Sequence, residues 1–335
     1  MEAQMKFKLR GVLRILAMFF AISHMMYAGI AEAAPYPDHS LVWVVPYSPG
    51  AATDAMARLL AADIGRQLNQ SIVVENEPGA ATITASTRLK RAAPDGYRIM
   101  SADITTLVLN PVLRKRLAYD PLKDFSMISM LAKLPLVLVG RPDFPANTLT
   151  GLLDYVKAHP GKVTFASPGL GSPHHMAMEL LQSEAKVSML HIPYNGTGPS
   201  MADLLAGRVD ITFASVGVVA PYLAAGKLKA FGISSNKAFP TLPNVAPLHS
   251  EDPRLANFEA YAWQGLVAPA GLPQDRLDVL NHALHVALDN PQIIAKFAHL
   301  GLEPEASTPK ALRDYVQQQI TTWKKIAKER DIKLD

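Results

Sequence analysis

Apolar runs of strand length alternate with helical periodicity through most of this chain, and that alternation leaves few folds open. Residues 41–45, 72–75, 97–102, 136–139, 163–166, 189–192, 209–213, 228–234 and 265–268 read as strands. Between them apolar residues recur at helical spacing, as in Met56, Leu59, Leu60, Ile64 and Leu68. A chain built this way is predicted to be an α/β protein with largely parallel sheets. Ligands of such sheets bind beyond the carboxyl ends of the strands.

The segment Val44 to Asp54 shows what those ends look like. A continuous apolar run, as expected of a strand covered on both faces, passes through Pro46-Tyr47-Ser48-Pro49-Gly50 into a helix. The turn aims a helix N-terminus, with its free N–H groups and positive dipole end, out of the sheet edge. That arrangement suits an anion and contains no obvious catalytic group. Four further segments repeat it. Ser167-Pro168-Gly169-Leu170-Gly171-Ser172-Pro173-His174 has Ser172 as helix cap and Pro173 as first helical residue. Tyr194-Asn195-Gly196-Thr197-Gly198-Pro199 leads into a helix capped by Thr197 or Gly198 and opened by Pro199. Ala214-Ser215-Val216 follows another strand, and residues 101–106 end one with Thr105 and Thr106 expected to be exposed.

The ends and the composition exclude several classes. Lys6, Lys8, Arg10 and Arg14 precede a mostly apolar stretch, and Ala31-Glu32-Ala33 fits a small-x-small cleavage rule. Residues 1–33 therefore read as a signal peptide cut before Ala34, giving an exported, periplasmic chain. There is no cysteine, which rules out a disulfide scaffold, a thiol enzyme and lipid on an N-terminal cysteine. The net charge is +4 and falls toward neutral once the basic leader is gone. The one dense basic cluster, Arg114-Lys115-Arg116, reads as a solvated helix end, so no nucleic-acid partner is expected. His282 and His285 lack an acidic companion, and no metal or cofactor is expected. Two proline-flanked extended stretches, 134–142 and 261–269, look like crossings between domains. They predict one domain of residues 34–139 plus 259–335 and a second, inserted one of residues 140–258, with monomer as the default state.

Together these segments resemble the periplasmic solute receptors of tripartite tricarboxylate transporters, the Bug family. The resemblance rests on residues 46–54, 74–80, 93–97, 119–125, 167–174 and 191–199, on Asp203-Leu204-Leu205 and 225–228, and on Trp263 and 268–271. It implies a two-lobed periplasmic-binding-protein fold of type II character, its lobes joined by two hinge strands. It also implies no enzymatic activity, and capture of a small carboxylate by backbone amides and hydroxyls from both lobes. Carried over by position, the implied contacts are Tyr47, Ser48, Ala51, Thr53, Thr105 and Thr106 in the first lobe. In the second they are Ser167, Gly169, Ser172, His174, Tyr194, Asn195, Ala214, Ser215 and Val216. Asp54, a first-turn acid, is either a dipole partner or a contact for a ligand ammonium.

The chain departs from the family pattern where Gly50-Ala51 replaces Gly-Gly, where Ala80-Ala81-Thr82 replaces a glycine-rich run, and where Ala214 replaces a common aspartate. Those changes favour a bulkier or more apolar carboxylate over an amino acid. The resemblance implies delivery to a membrane transporter. The alternatives are a ligand-sensing co-receptor for a membrane histidine kinase, or an exported enzyme using Asp54 or His174 as base.

Overall fold

A computed structural model describes residues 35–50 and 52–334 of the chain. The signal-peptide and cleavage-site expectations, and the contact expected from Ala51, fall outside the described residues. Ten strands are present among those described: β1 (Leu41–Val45), β2 (Ile72–Asn76), β3 (Arg98–Asp103), β4 (Phe125–Gly140), β5 (Thr164–Ser167), β6 (Leu190–Pro193), β7 (Ile211–Ser215), β8 (Lys229–Ile233), β9 (Tyr261–Pro269) and β10 (Glu303–Pro304). The longer helices are α1 (Ala52–Leu68), α2 (Ile83–Lys90), α3 (Leu149–Ala158), α4 (Pro173–Ala185), α5 (Thr197–Leu205), α6 (Val216–Ala224), α7 (Gln274–Leu288), α8 (Pro291–Leu300) and α9 (Pro309–Glu329).

The strands run in the order β2-β1-β3-β9-β4-β7-β5-β6, with β8 and β10 also on β4. Two lobes follow from the pairing. In the first, β2, β1 and β3 are parallel, and β9 joins β3 antiparallel. In the second, β6, β5 and β7 are parallel, and β4 joins β7 antiparallel. Every antiparallel pair involves β4 or β9. The parallel pairs are those with helices crossing between them, as right-handed βαβ units require.

β4 is the element that joins the lobes. Residues Phe125 to Pro135 pair with β9, whereas Leu136 to Gly140 pair with β7 and β8. The switch falls at Pro135, which has no N–H to give a ladder. Beside it, Leu136 N donates to Ser234 Oγ at 2.9 Å and Ser234 N donates to Leu136 O at 2.8 Å. Ser234 Oγ in turn donates to Ala260 O, so the outgoing and returning chains are tied at one point.

The sequence places most elements within a residue or two, but β4 begins eleven residues before the expected strand. Its first half alternates imperfectly and ends in Lys133 and Pro135, a pattern that argues against a central strand. Lys133 is accommodated by an ion pair with Glu305 at 3.0 Å. α5 begins at Thr197, two residues before the proline expected to open it, with Gly196 (φ 110°) as its cap.

Candidate ligand-binding cleft

Three helix N-termini and one strand end converge on a cavity of about 520 Å³ between the lobes. Ala52 and Thr53 open α1, Pro173 and His174 open α4, and Thr197 opens α5; all five line the cavity. Helix dipoles add at such a point, so it favours negative charge. The end of β3 contributes Asp103 and Thr105.

In the first lobe the turn after β1 is held by Asp54. Its carboxylate accepts from Gly50 N at 3.0 Å, from Asn76 Nδ2 at 2.9 Å and from Arg58 Nε at 3.1 Å. The Arg58 guanidinium, with the Gly50 amide and Asn76 assisting against burial, pulls the acid down to about 2. Asp54 does not line the cavity; its oxygens are spent on the turn. Thr53 does line it, and Gln264 Nε2 of β9 donates to Thr53 Oγ1 at 3.0 Å. Gln264 Oε1 is buried without a partner.

Tyr47 donates its hydroxyl proton to Asp103 Oδ2. Burial, and the Asp103 carboxylate beside it, hold the phenol well above its ordinary value. Asp103 Oδ1 accepts from Thr106 N at 2.8 Å and lies 2.8 Å from Thr106 Oγ1. Thr106 is therefore fully buried, with its Oγ1 also 2.9 Å from Thr82 Oγ1, and the expected exposure is corrected. The short side chain packs back onto the acid that caps its own helical turn, leaving Thr105 at the cavity.

In the second lobe Ser172 caps α4, its Oγ accepting from His175 N at 3.3 Å. The amides of the preceding loop are largely committed within it. Gly169 N donates to Ser167 Oγ at 3.3 Å, Gly171 N to His175 Nδ1 at 3.1 Å and Ser172 N to Gly169 O at 3.1 Å. Gly169, Ser172 and His174 line the cavity. Both ring nitrogens of His174 are buried without partners, and burial lowers its basicity to about 4. His175 turns the other way, stacking on His191 with centroids 4.1 Å apart.

The remaining expected residues lie elsewhere. Ser167 is buried behind the loop, its Oγ 2.6 Å from His191 Nε2. Tyr194 gives its hydroxyl to Asp203 Oδ2 at 2.8 Å, and Asn195 and Ser48 are exposed. Ala214 and Ser215 pair with Val137 and Leu136 of β4, and Val216 is in the core. None of these, nor Asp54 or Thr106, lines the cavity.

Arg114 was the surprise of the first lobe. It is half-buried and lines the cavity, with Nε donating to Asn110 Oδ1 at 3.3 Å, while Lys115 and Arg116 are exposed. The cluster read as a solvated helix end thus contributes one of its three residues to the lining of the cleft. Asp103, Asn110, Gln264 and Leu334 also line it. Asp103 lies within the strand end singled out at 101–106 without having been named as a contact, whereas Gln264 and Leu334 come from segments distant in sequence and carried no signal. Among the described residues no group of three or more His, Asp or Glu side chains converges as a metal site.

The chain matches the family model described as "Tripartite tricarboxylate transporter family receptor" over residues 56–332. It is 33% identical over 314 residues to Protein BugT of Bordetella pertussis, covering 92% of this chain and 95% of that one. Among solved structures it is similar to MatC from Rhodopseudomonas palustris with bound malate, at 33% identity and a TM-score of 0.73, covering 87% and 99% of the two chains. It is similar also to R. palustris Rpa4515 with adipate, at 26% identity and a TM-score of 0.78, covering 89% and 99%.

Proposed function

This chain belongs to the tripartite tricarboxylate transporter receptor family, and on that premise we propose that it captures a small carboxylate in the interlobe cleft. The carboxylate is held at the converging N-termini of α1, α4 and α5, with Thr53, Thr105 and Arg114 as side-chain donors. The convergence of those three helix ends on one cavity carries the reading. The lobes are residues 34–139 with 259–335, and 140–258, each hinge lying close to the β4 and β9 crossings. The receptor works outside the inner membrane after loss of residues 1–33 and hands its ligand, unchanged, to a membrane transporter of the tripartite tricarboxylate type.

Adipate and malate, carried by the two R. palustris neighbours, set the size of acid first tried. The magnitudes are adequate. A micromolar ligand requires about 8 kcal/mol. Charge-assisted hydrogen bonds supply roughly 1.5–3 kcal/mol each, and a well-placed helix end up to about 2. A few of these suffice after ordering costs. The test is a thermal-shift screen of the purified protein against di- and tricarboxylates, aromatic acids and acidic amino acids. At a hundredfold excess over its dissociation constant a bound acid stabilises by about 2.7 kcal/mol. The expected result is a clear shift with the acid recovered chemically intact. A product in place of the acid would make the protein an enzyme and overturn the reading.

A further inference from the structure

The segment after the last long helix returns to the cleft. Beyond α9, Ile332 N donates to Ala327 O at 2.8 Å, and the Ile332 side chain is buried. Two residues later Leu334 N donates to Leu113 O at 2.9 Å, and Leu334 lines the cavity. Its side chain also presses on the second lobe. A Cβ placed on Gly171 would stand 3.1 Å from Leu334 Cδ1 and 3.0 Å from Leu113 Cδ1. The isobutyl group of Leu334 is therefore wedged between the first lobe and the loop that opens α4.

That loop is braced from behind by the same segment. Arg330 Nε donates to Glu179 Oε2 at 2.6 Å, Glu179 Oε1 lies 3.5 Å from His175 Nε2, and His175 Nδ1 accepts from Gly171 N at 3.1 Å. Leu334 thus has a fixed counterpart to close against, which a side chain lying on a loose loop would lack.

Tyr47, Thr53, Thr105 and Arg114 bring hydrogen-bonding side chains from the first lobe, and Ser172, His174 and Thr197 bring them from the helix ends of the second, while Pro168 and Leu170 of the loop before α4 join Leu334 in an apolar wall. A carboxylate pressed onto that wall would lose its water without gaining a partner. We propose that Leu334 is a specificity-determining residue of the cleft, the apolar stop that sets how long a hydrocarbon part the bound acid carries. The class of ligand that follows is an acid with a short aliphatic segment, in preference to a compact tricarboxylate. This inference rests on the carboxylate reading above.

The experiment is calorimetric titration of the wild-type protein, Leu334→Ala and Leu334→Phe with unbranched dicarboxylates from malonate to suberate, the monocarboxylates of matching length, and citrate. One methylene in an apolar pocket changes affinity by about 10-fold or more. Leu334→Ala is expected to move the preferred acid to a longer one, shifting the ratio of the two affinities by about 10-fold. Leu334→Phe is expected to move it to a shorter one. Leu334 is only half-buried, so the alanine variant keeps the fold, which its unfolding midpoint verifies, and it decides alone if the phenylalanine variant fails to fold. An unchanged order of preference, with affinities equal or falling together, overturns the role of Leu334 and leaves the carboxylate reading standing. No binding of any acid by the wild type, or tightest binding of citrate, overturns the aliphatic assignment; the first of these overturns the carboxylate reading with it.

Discussion

His174 shows most plainly how burial and chemistry meet in the cleft. Its ring lines the cavity with both nitrogens unpartnered, and burial drives its basicity from an ordinary 6.5 to about 4. Between those values the unfolded chain binds a proton at this site that the folded chain does not. Stability therefore falls as pH is lowered through that window. His174→Phe keeps the ring volume and removes the titration. Urea-unfolding midpoints of that variant are expected to fall less steeply between pH 6.5 and 4 than those of the wild type, the difference approaching about one bound proton. Parallel curves would mean that His174 titrates normally and is reached by water. Tyr47 and Asp103 are the complementary case. The phenol proton is committed to the acid, so the pair holds the first-lobe turn in place and leaves the Tyr47 oxygen as an acceptor.

Among the elements, the turn between β2 and α2 carries the clearest strain. Ala80, Ala81 and Thr82 have φ of 47°, 50° and 75°, a left-handed run that costs residues with a Cβ roughly 1–2 kcal/mol each. Asn110 pins it, its Nδ2 donating to Ala81 O at 2.7 Å, and both residues line the cavity. Ala81 is exposed, so little packing is lost when its methyl is removed. Ala81→Gly is expected to raise the unfolding free energy by about 0.5–1 kcal/mol, the relief of strain exceeding the added chain entropy. A loss of stability in denaturant titration would show that the turn is relaxed as it stands. That turn was not legible in the sequence, but other local elements were, because their signals are local. Ser172 and Pro173 announce α4, and the apolar periodicity of α1 survives intact in the fold. Thr106 was misplaced because nothing in a Thr-Thr pair tells which hydroxyl turns inward to an acid three residues back. Arg114 was misread because its neighbours Lys115 and Arg116 are indeed solvated, and its direction is set by the extended backbone it adopts as the C-cap of the short helix Asn110–Leu113. Gln264 and Leu334 gave no signal at all, since their meaning depends on β9 and the final segment being brought to α1 and α4 by tertiary packing.

At the scale of the molecule, the two lobes repeat one plan. Each has three parallel strands, and each is completed by a strand that crosses between the lobes. The two-lobed fold followed from the alternation of elements and the resemblance, but the length of β4 did not, because Pro135 hides a continuous strand across a change of partner. A ligand seated between helix ends from both lobes couples their closure to its own desolvation, which strengthens each charge-assisted contact. The most direct measurement is a crystal structure of the protein with the acid that gives the largest thermal shift. The account predicts one carboxylate between the N-termini of α1 and α4, within hydrogen-bond reach of Thr53 or Thr105, and the aliphatic part against Leu170 and Leu334. An acid bound outside the interlobe cavity, or inside it with its carboxylate turned onto the apolar wall, would contradict it.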